Sequence, residues 1–459
     1  MRSAIRPLVA ATYLILCLVF GGASSAGILG NLALQLLGAA ILAILLFTDR
    51  TPVFKGPGSG LWWLALGWVA VVALQLVPLP PRLWTSLPGR EAVVQGFALV
   101  GVPPPWLGIS LTPDHTIRAL VSILPIAAIV ALVAPVSARS RQLFLPLVIA
   151  FAMAALLVGL IQKVGGPQSP LYFYAVTNWG QTVGFFSNRN HQATLLLMTL
   201  PFVAALATPL LQGGRIREEA VPKIIVIATL FAVIAGGVMM TGSRAGIALV
   251  PIVTGLCTLM VRKDLTGNVP RSWVAVSVLL VAAGIAAVAA SGVVTRDALS
   301  QGNVEESTRE AIWGNTIRLA VAFQPVGGGL GSFVPLYRIQ EDPHARPDEF
   351  TNHAHNDYLE WVLETGLPGL LLLATFLFWY VRGLKLSWSA TESALGRAGS
   401  IAIVAVLLHS LVDYPVRTAA IAAFCALCLG LMVPAPETDY TEESSRRRSS
   451  RRSSRRRER

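Results

Sequence analysis

Charge is what this 459-residue chain has least of. Asp, Glu, Lys and Arg together make up 13% of it, against roughly 25% in a soluble globular protein. With 54% of its residues hydrophobic, the chain cannot solvate its surface in water. A soluble enzyme, a β-barrel and a disordered chain are thereby excluded. Cysteine is also scarce. The four thiols, Cys17, Cys257, Cys425 and Cys428, all sit in apolar runs. The Cys425/Cys428 pair has no second pair to complete a zinc site, so packed thiols are expected rather than disulfides or metal ligands. Other motifs are missing too: no HExxH, no P-loop, no EF-hand loop, and no DxD pair to hold the metal of a nucleotide sugar. Asp297, Glu305, Glu306 and Glu310 lack a regular ligand spacing. Any anionic substrate must then be met by arginines and helix ends, and a metal-independent site without cofactors is expected.

What the chain does have is apolar runs long enough to cross a hydrocarbon core roughly 30 Å thick. About twelve helices are predicted, over 8–27, 28–48, 61–78, 116–135, 142–164, 190–210, 223–241, 244–262, 273–292, 361–381, 398–413 and 417–433. The expected fold class is therefore all-α, a polytopic membrane protein. Residues 1–292 would carry helices 1–9, 293–360 one large outer loop, 361–434 helices 10–12, and 435–459 a cytoplasmic tail. Ala23-Ser24-Ser25-Ala26 resembles a signal-peptide cleavage site, but the eleven spans that follow favour an uncleaved first helix. A cytoplasmic N-terminus puts 24 of the 36 basic residues on the inner side, with at least two in each short inner connection. The positive-inside rule then places both termini in the cytoplasm. The Ser/Arg tail reads as a disordered polybasic segment near anionic lipids rather than a nucleic-acid-binding arm.

Three polar clusters stand at the starts of inward-running helices, all on the outer face: Gly184–His191, Thr241–Gly246 and His353–Glu360. A helix N-terminus offers unpaired N–H groups and partial positive charge. Arg189 and Arg244 add guanidinium forks suited to phosphate oxygens. A neutral histidine at such a helix end can accept a proton, which nominates His355. Two arginines, several helix ends and a histidine suit an anionic leaving group and a nucleophile that must lose a proton. Blander roles stand beside these. An outer arginine also serves as an interface anchor, and Asn188, Asn190, Ser243 and Asn356 could cap helices. His191 reads as a packed neighbour of the motif and His344 as a solvated loop residue. His115 and His409 have no evident partner. The glycine-rich stretch 325–331 reads as a flexible hinge or re-entrant turn, and Trp84 and Trp106 as interfacial anchors before sugar platforms.

At these residues the chain resembles the O-antigen ligase and polymerase superfamily of bacterial envelope enzymes. His355-Asn356 is followed after nine residues by Gly366-Leu367-Pro368-Gly369, which matches the ligase pattern His-[Asn/Ser/Gln]-x9-Gly-x-x-[Gly/Thr/Tyr]. Asn188-Arg189-Asn190-His191, Ser243-Arg244-Ala245-Gly246, and Arg309 with Trp313 ahead of the glycine-rich stretch follow in the family's order, so the resemblance covers about 180–415. It implies a membrane-embedded, GT-C-like glycosyltransferase of the bacterial inner membrane. The donor would be a glycan on undecaprenyl pyrophosphate, the site would face the periplasm, and the partners would be membrane lipids and a lipid A–core or glycan acceptor. By position His355 would be catalytic, with Arg189, Arg244 and Arg309 binding or activating the pyrophosphate. Asn188 and Asn356 would belong to the substrate site, as would His353, whose role the motif does not fix. The histidine pattern favours a ligase over an O-antigen or exopolysaccharide polymerase. A small-anion transporter is the alternative of another class. It would need a polar path through the bilayer midplane, and no charged residue lies near the middle of any predicted span.

Overall fold

The computed structural model of the chain describes residues 5–24, 28–49, 56, 58–211, 217–264, 310–340, 351–389 and 394–436. Arg309, the span expected at 273–292, His344 and the basic tail lie outside the described residues. Within them the protein is an all-α polytopic membrane protein. No strand forms among the described residues, and a single bridge pairs Leu79 with Leu107. Among the described residues eight helices are long and apolar enough to cross a membrane, and four shorter apolar ones accompany them, three in the bundle and one, Glu91–Val100, with no buried residue. In chain order those of the bundle are α1 (Arg6–Phe20), α2 (Leu29–Thr48), α3 (Ser59–Leu76), α4 (Pro113–Val133), α5 (Phe144–Gly165), α6 (Arg189–Ala205), α7 (Val221–Met240) and α8 (Arg244–Asp264). After the short α9 (Phe333–Gln340) come α10 (Asp357–Ser389), α11 (Ala394–His409) and α12 (Ala419–Met432). Eleven of the twelve expected windows thus coincide with helices.

The bundle is organised around α6. Every residue from Asn190 to Ala205 is buried, against α5, α7, α8 and α11. On the other side α12 packs against α1, α4 and α11. By contrast only 17% of the apolar window of α2 and of α3 is buried, and side chains such as Phe47 and Trp63 are exposed. That distribution suits helices whose outer faces meet lipid tails, where an exposed apolar side chain carries no cost. The four cysteines are free, three buried and Cys425 half-buried.

Among the boundaries that differ from the apolar windows, two shape the site. The helix expected from 361 begins at Asp357, because Asn356 caps it: its Oδ1 accepts the N–H groups of Tyr358 and Leu359, both at 3.0 Å. Its first two turns carry three carboxylates and remain helical because those charges are paired. The helix expected over 398–413 ends at His409, and 410–418 becomes a polar turn. The glycine-rich stretch is a packed turn rather than a hinge. Gly328 N–H donates to Leu363 O at 2.9 Å, Gly329 N–H to Glu364 O at 3.0 Å, and Leu367 N–H to Pro325 O at 2.8 Å. It docks where α10 breaks at Gly366, whose φ of 58° lies in the left-handed region open to glycine. A Cβ on Gly327 would lie 2.6 Å from the Glu364 carbonyl, so the two backbones approach as only glycine permits. Trp84 is no surface anchor: it is buried, and its indole N–H donates to Pro105 O at 2.8 Å.

Candidate functional site

All the polar helix starts gather at one end of the bundle, together with the ends of α1 and α11. The strand of sequence before α10 makes the centre. Asn356 Nδ2 donates to Leu411 O at 2.7 Å, Asp357 N–H to Ser410 O at 3.0 Å, and Ser410 Oγ to Asp357 Oδ2 at 2.9 Å. The start of α10 is thereby welded to the 410–418 turn. Between the buried Ala354 and the capping Asn356, His355 adopts φ 49°. Such a conformation costs a non-glycine residue roughly 1–2 kcal/mol, and strain of this kind gathers where geometry serves function.

The two histidines of the His-Ala-His run differ in their surroundings. His353 Nδ1 lies 2.9 Å from Glu360 Oε1 and its Nε2 lies 3.3 Å from the Ser24 carbonyl. Both partners are acceptors, so both ring nitrogens must donate, which only the imidazolium can do. Burial by itself disfavours that cation, but the charge and hydrogen bond of Glu360 outweigh it and raise the His353 pKa. His355 instead keeps about a quarter of its side chain exposed, with Nδ1 3.4 Å from Asp413 Oδ1. Nε2 lies across the ring from that carboxylate. Burial works against the Asp413 charge. The imidazole of His355 at 3.4 Å and those of His191 and His409 nearby outweigh it and hold the carboxyl well below its ordinary range. This is the geometry of a base held in orientation by a buried carboxylate.

Tyr414 joins the cluster. Its ring lies 4.2 Å from that of His353, 5.0 Å from His355 and 5.1 Å from His191, centroid to centroid. Burial, then the Asp413 charge, raises its pKa, so the phenol stays protonated. The amides of Asn188 and Asn352 donate to its oxygen at 3.4 Å. Beneath it runs an ion network. Asp357, Glu360 and Glu364 fall on one face of α10 through i, i+3, i+7 spacing, and Arg417 meets all three. Its Nε lies 3.4 Å from Asp357 Oδ1, and its Nη1 lies 3.0 Å from Glu360 Oε1 and 3.1 Å from Glu364 Oε2. Glu360 Oε2 also accepts the Ala354 N–H at 2.9 Å, and Glu364 Oε1 those of Gly331 and Phe333 at 2.9 and 3.3 Å. The network thus fixes the loop that carries both histidines and anchors the glycine turn.

Asn188 caps α6, its Oδ1 accepting the Asn190 N–H at 2.8 Å, while its amide reaches Tyr414. The next residue, Arg189, is half-buried and brings its guanidinium beside the 241–243 turn: a Cβ on Gly242 would lie 3.8 Å from Arg189 Nη1. Ser243 caps α8 through Gly246 N–H at 3.1 Å, and Arg244, the first residue of α8, is exposed. Arg189 and the 241–244 turn are therefore neighbours, and His353, His355 and Asn188 meet around Tyr414, while Asn356 ties the start of α10 to Leu411. The two groups adjoin at the start of α6.

Sequence reasoning missed Asp413, Tyr414, Arg417 and the three carboxylates as site residues. Their signal was the helical spacing of Asp357, Glu360 and Glu364, set against the polar run Asp413-Tyr414-Pro415-Val416-Arg417 between two apolar helices. The partnerless histidines have partners: His409 Nδ1 lies 2.8 Å from Thr194 Oγ1 on α6, and His115 Nδ1 lies 3.1 Å from Gly331 O. Among the described residues no three His, Cys, Asp or Glu are grouped to hold a metal ion.

Residues 229–374 match the family model described as O-antigen ligase. The match takes in Arg244, the glycine turn and the His353–Glu364 segment, while Arg189 and the 410–418 turn lie outside it. No curated protein matches the chain.

Proposed function

We propose that this chain, which carries an O-antigen ligase domain, transfers a glycan from undecaprenyl pyrophosphate to an acceptor hydroxyl at the periplasmic face of the bacterial inner membrane. The domain supports an O-antigen ligase or polymerase type of function and the coarse class of glycosyltransferase-like enzymes. The finer reading comes from the residues. Its main support is the pairing of His355 with the buried Asp413 at 3.4 Å. The acceptor O–H attacks the anomeric carbon, the bond from that carbon to the pyrophosphate oxygen breaks, and the proton passes to His355 Nε2. The negative charge left on the pyrophosphate falls to Arg189 and Arg244, beside the N-termini of α6 and α8. Arg309 is proposed to join them. Asn188 and Asn356 cap the helices that start beside the base and are proposed to contact substrate there, and His353 acts as a fixed cation beside the base. No metal is required in this scheme, so chelator leaves turnover unchanged.

Transfer from purified lipid-linked glycan tests the assignment. General-base catalysis is worth roughly 100- to 10,000-fold, so His355→Ala loses about that factor in turnover while donor binding survives. Asp413→Asn, which loosens the orientation of the ring, loses a smaller part of the same factor. Wild-type turnover in His355→Ala, with loss in His353→Ala, would reverse the roles of the two histidines. The acceptor is proposed to be lipid A–core, on the full match of the histidine motif to the ligase pattern. A deletion strain then strands full-length polymer on undecaprenyl pyrophosphate and leaves lipid A–core bare. A ladder that collapses to single repeats points to the polymerase instead.

A further inference from the structure

One imidazole at this end of the bundle has no part in the scheme above. His191, in the first turn of α6, is fully buried, and neither of its ring nitrogens meets a hydrogen-bond partner among the described residues. Its ring stands edge-on to Tyr414 at 5.1 Å and to Phe186 at 6.4 Å. Packing alone would suit a phenylalanine in this place. A histidine carries at least one N–H whatever its tautomer, and a buried donor left unmet is costly. A carboxylate short of donors lies beside it. Asp357, Glu360 and Glu364 are buried too, and each has Arg417 together with at least one further donor. Asp413 has no such set. Both its oxygens are buried without a hydrogen bond of good geometry, and His355 Nδ1 stays 3.4 Å from Oδ1. The charge of Asp413 interacts with His191 as well as with His355 and His409. Of these, His409 is already engaged through Nδ1 with Thr194 Oγ1 at 2.8 Å.

We propose that His191 is a positioning residue for the base: it gives Asp413 a second hydrogen bond, across one bridging water, and so keeps Oδ1 turned toward His355. This rests on the reading of His355 as the base and Asp413 as its orienting carboxylate. Neither ring nitrogen lies within direct hydrogen-bond reach of the carboxylate, and a bridging water is nearly as good as a direct contact. Buried waters typically make about three hydrogen bonds to groups that would otherwise go unmet, and His191 and Asp413 are two such groups. A carboxylate held by one long contact is free to turn about its Cβ–Cγ bond. Held from both sides, it presents one oxygen to the imidazole in one orientation. His191 is sealed from solvent and touches no substrate, so its loss acts on turnover and not on donor binding.

The full-length protein in detergent is assayed for transfer from purified lipid-linked glycan, with folding followed by tryptophan fluorescence. His191→Phe keeps the edge-on ring contacts and removes the hydrogen bond, and His191→Leu repeats the test should the larger ring fail to fold. His191→Asn and His191→Gln do the reverse: each keeps a polar N–H group, one near the place of Nδ1 and the other near that of Nε2, and gives up the ring. In the apolar variants kcat falls roughly tenfold, as for losing one hydrogen bond to a charged group, with donor KM unchanged. One of the two amides recovers most of that loss. In an Asp413→Asn background His191→Phe lowers kcat by less than about twofold further, because the two residues act through one contact. A packing role gives the opposite order, with His191→Phe near wild type and both amides impaired. That order overturns the proposal, and so does a full tenfold loss in the Asp413→Asn background. If His355→Ala itself keeps wild-type kcat, the parent reading fails. If His355→Ala loses turnover while His191→Phe does not, this proposal alone fails.

Discussion

Arg417 offers the sharpest test of how the site is held together. It is the cation that meets Asp357, Glu360 and Glu364, whose side chains are 9%, 1% and 0% exposed, while its own is 19% exposed. Arg417→Gln leaves a hydrogen-bonding group in place and removes the charge. Breaking a buried pair by deleting one partner costs about 3–5 kcal/mol, because the surviving charge has no solvent to turn to. One kcal/mol shifts the melting temperature by about 2–4 °C in a chain of 150–250 residues and by less in a longer one, so a fall on the order of 5–10 °C is expected. The chain's 11 tryptophans allow the transition to be followed by intrinsic fluorescence in detergent. Adding Glu364→Gln to this background removes one buried charge yet keeps an oxygen for the Gly331 and Phe333 N–H groups. The double variant is therefore more stable than Arg417→Gln alone. A melting temperature for Arg417→Gln within a degree of wild type would refute the reasoning, because the carboxylates would then be solvated or protonated in the native state.

Three further expectations follow from the same geometry. The raised His353 pKa means that its stabilising contribution is complete below the ordinary histidine value of 6.5 and is lost as pH rises through the folded value. Wild-type melting temperature thus falls toward alkaline pH through the charges facing His353, Glu360 and Arg417, and His353→Asn flattens that part of the profile. Gly327→Ala forces a Cβ against the Glu364 carbonyl and imposes a left-handed φ on alanine. A loss of about 2–4 kcal/mol from overpacking and backbone strain is expected, read as a lower denaturation midpoint. Arg189→Lys keeps a charge but not the planar fork, so it should retain part of the donor affinity that Arg189→Ala loses, measured as donor KM.

The spans were legible because a hydrocarbon core imposes a length and a composition that no other constraint imitates. Only the window at 273–292 lies outside what can be compared. Helix caps were legible as residue types, with an ambiguity the fold removes: Asn188 and Asn356 do cap their helices, Asn188 also reaches Tyr414 beside the histidines, and Asn356 also holds Leu411 O. What could not be read was pairing across distance. An apolar-window reading treats Asp357, Glu360 and Glu364 as the place where a helix has not yet begun, because a charge there is tolerable only once Arg417 is in place. Trp84 and the glycine turn misled for a related reason. Their burial depends on Pro105 and on the break in α10, and neither partner is local. The sequence singled out His355 through the motif and left His353 open; the neighbours that distinguish them, Glu360 and Ser24 for His353 and Asp413 for His355, come from elsewhere in the chain.

The ion network also sets an order of events while the protein is being made. Glu364 precedes its cation by 53 residues, and at roughly 5–20 residues per second that is an interval of about 3–10 s. During it, the start of α10 carries three acidic groups on one face with Arg417 still to be synthesised. Moving even one such charge to the centre of a membrane helix costs about 2.5–3.5 kcal/mol, so the first two turns of α10 stay at the water boundary until α11 and α12 arrive. Asp413 and Tyr414 come with the same late stretch of chain. A ribosome-bound chain that stops short of 410 would carry His355 with neither its orienting carboxylate nor the ring that packs against it. The polar cluster around His355 is completed only when nearly all of the chain has been made.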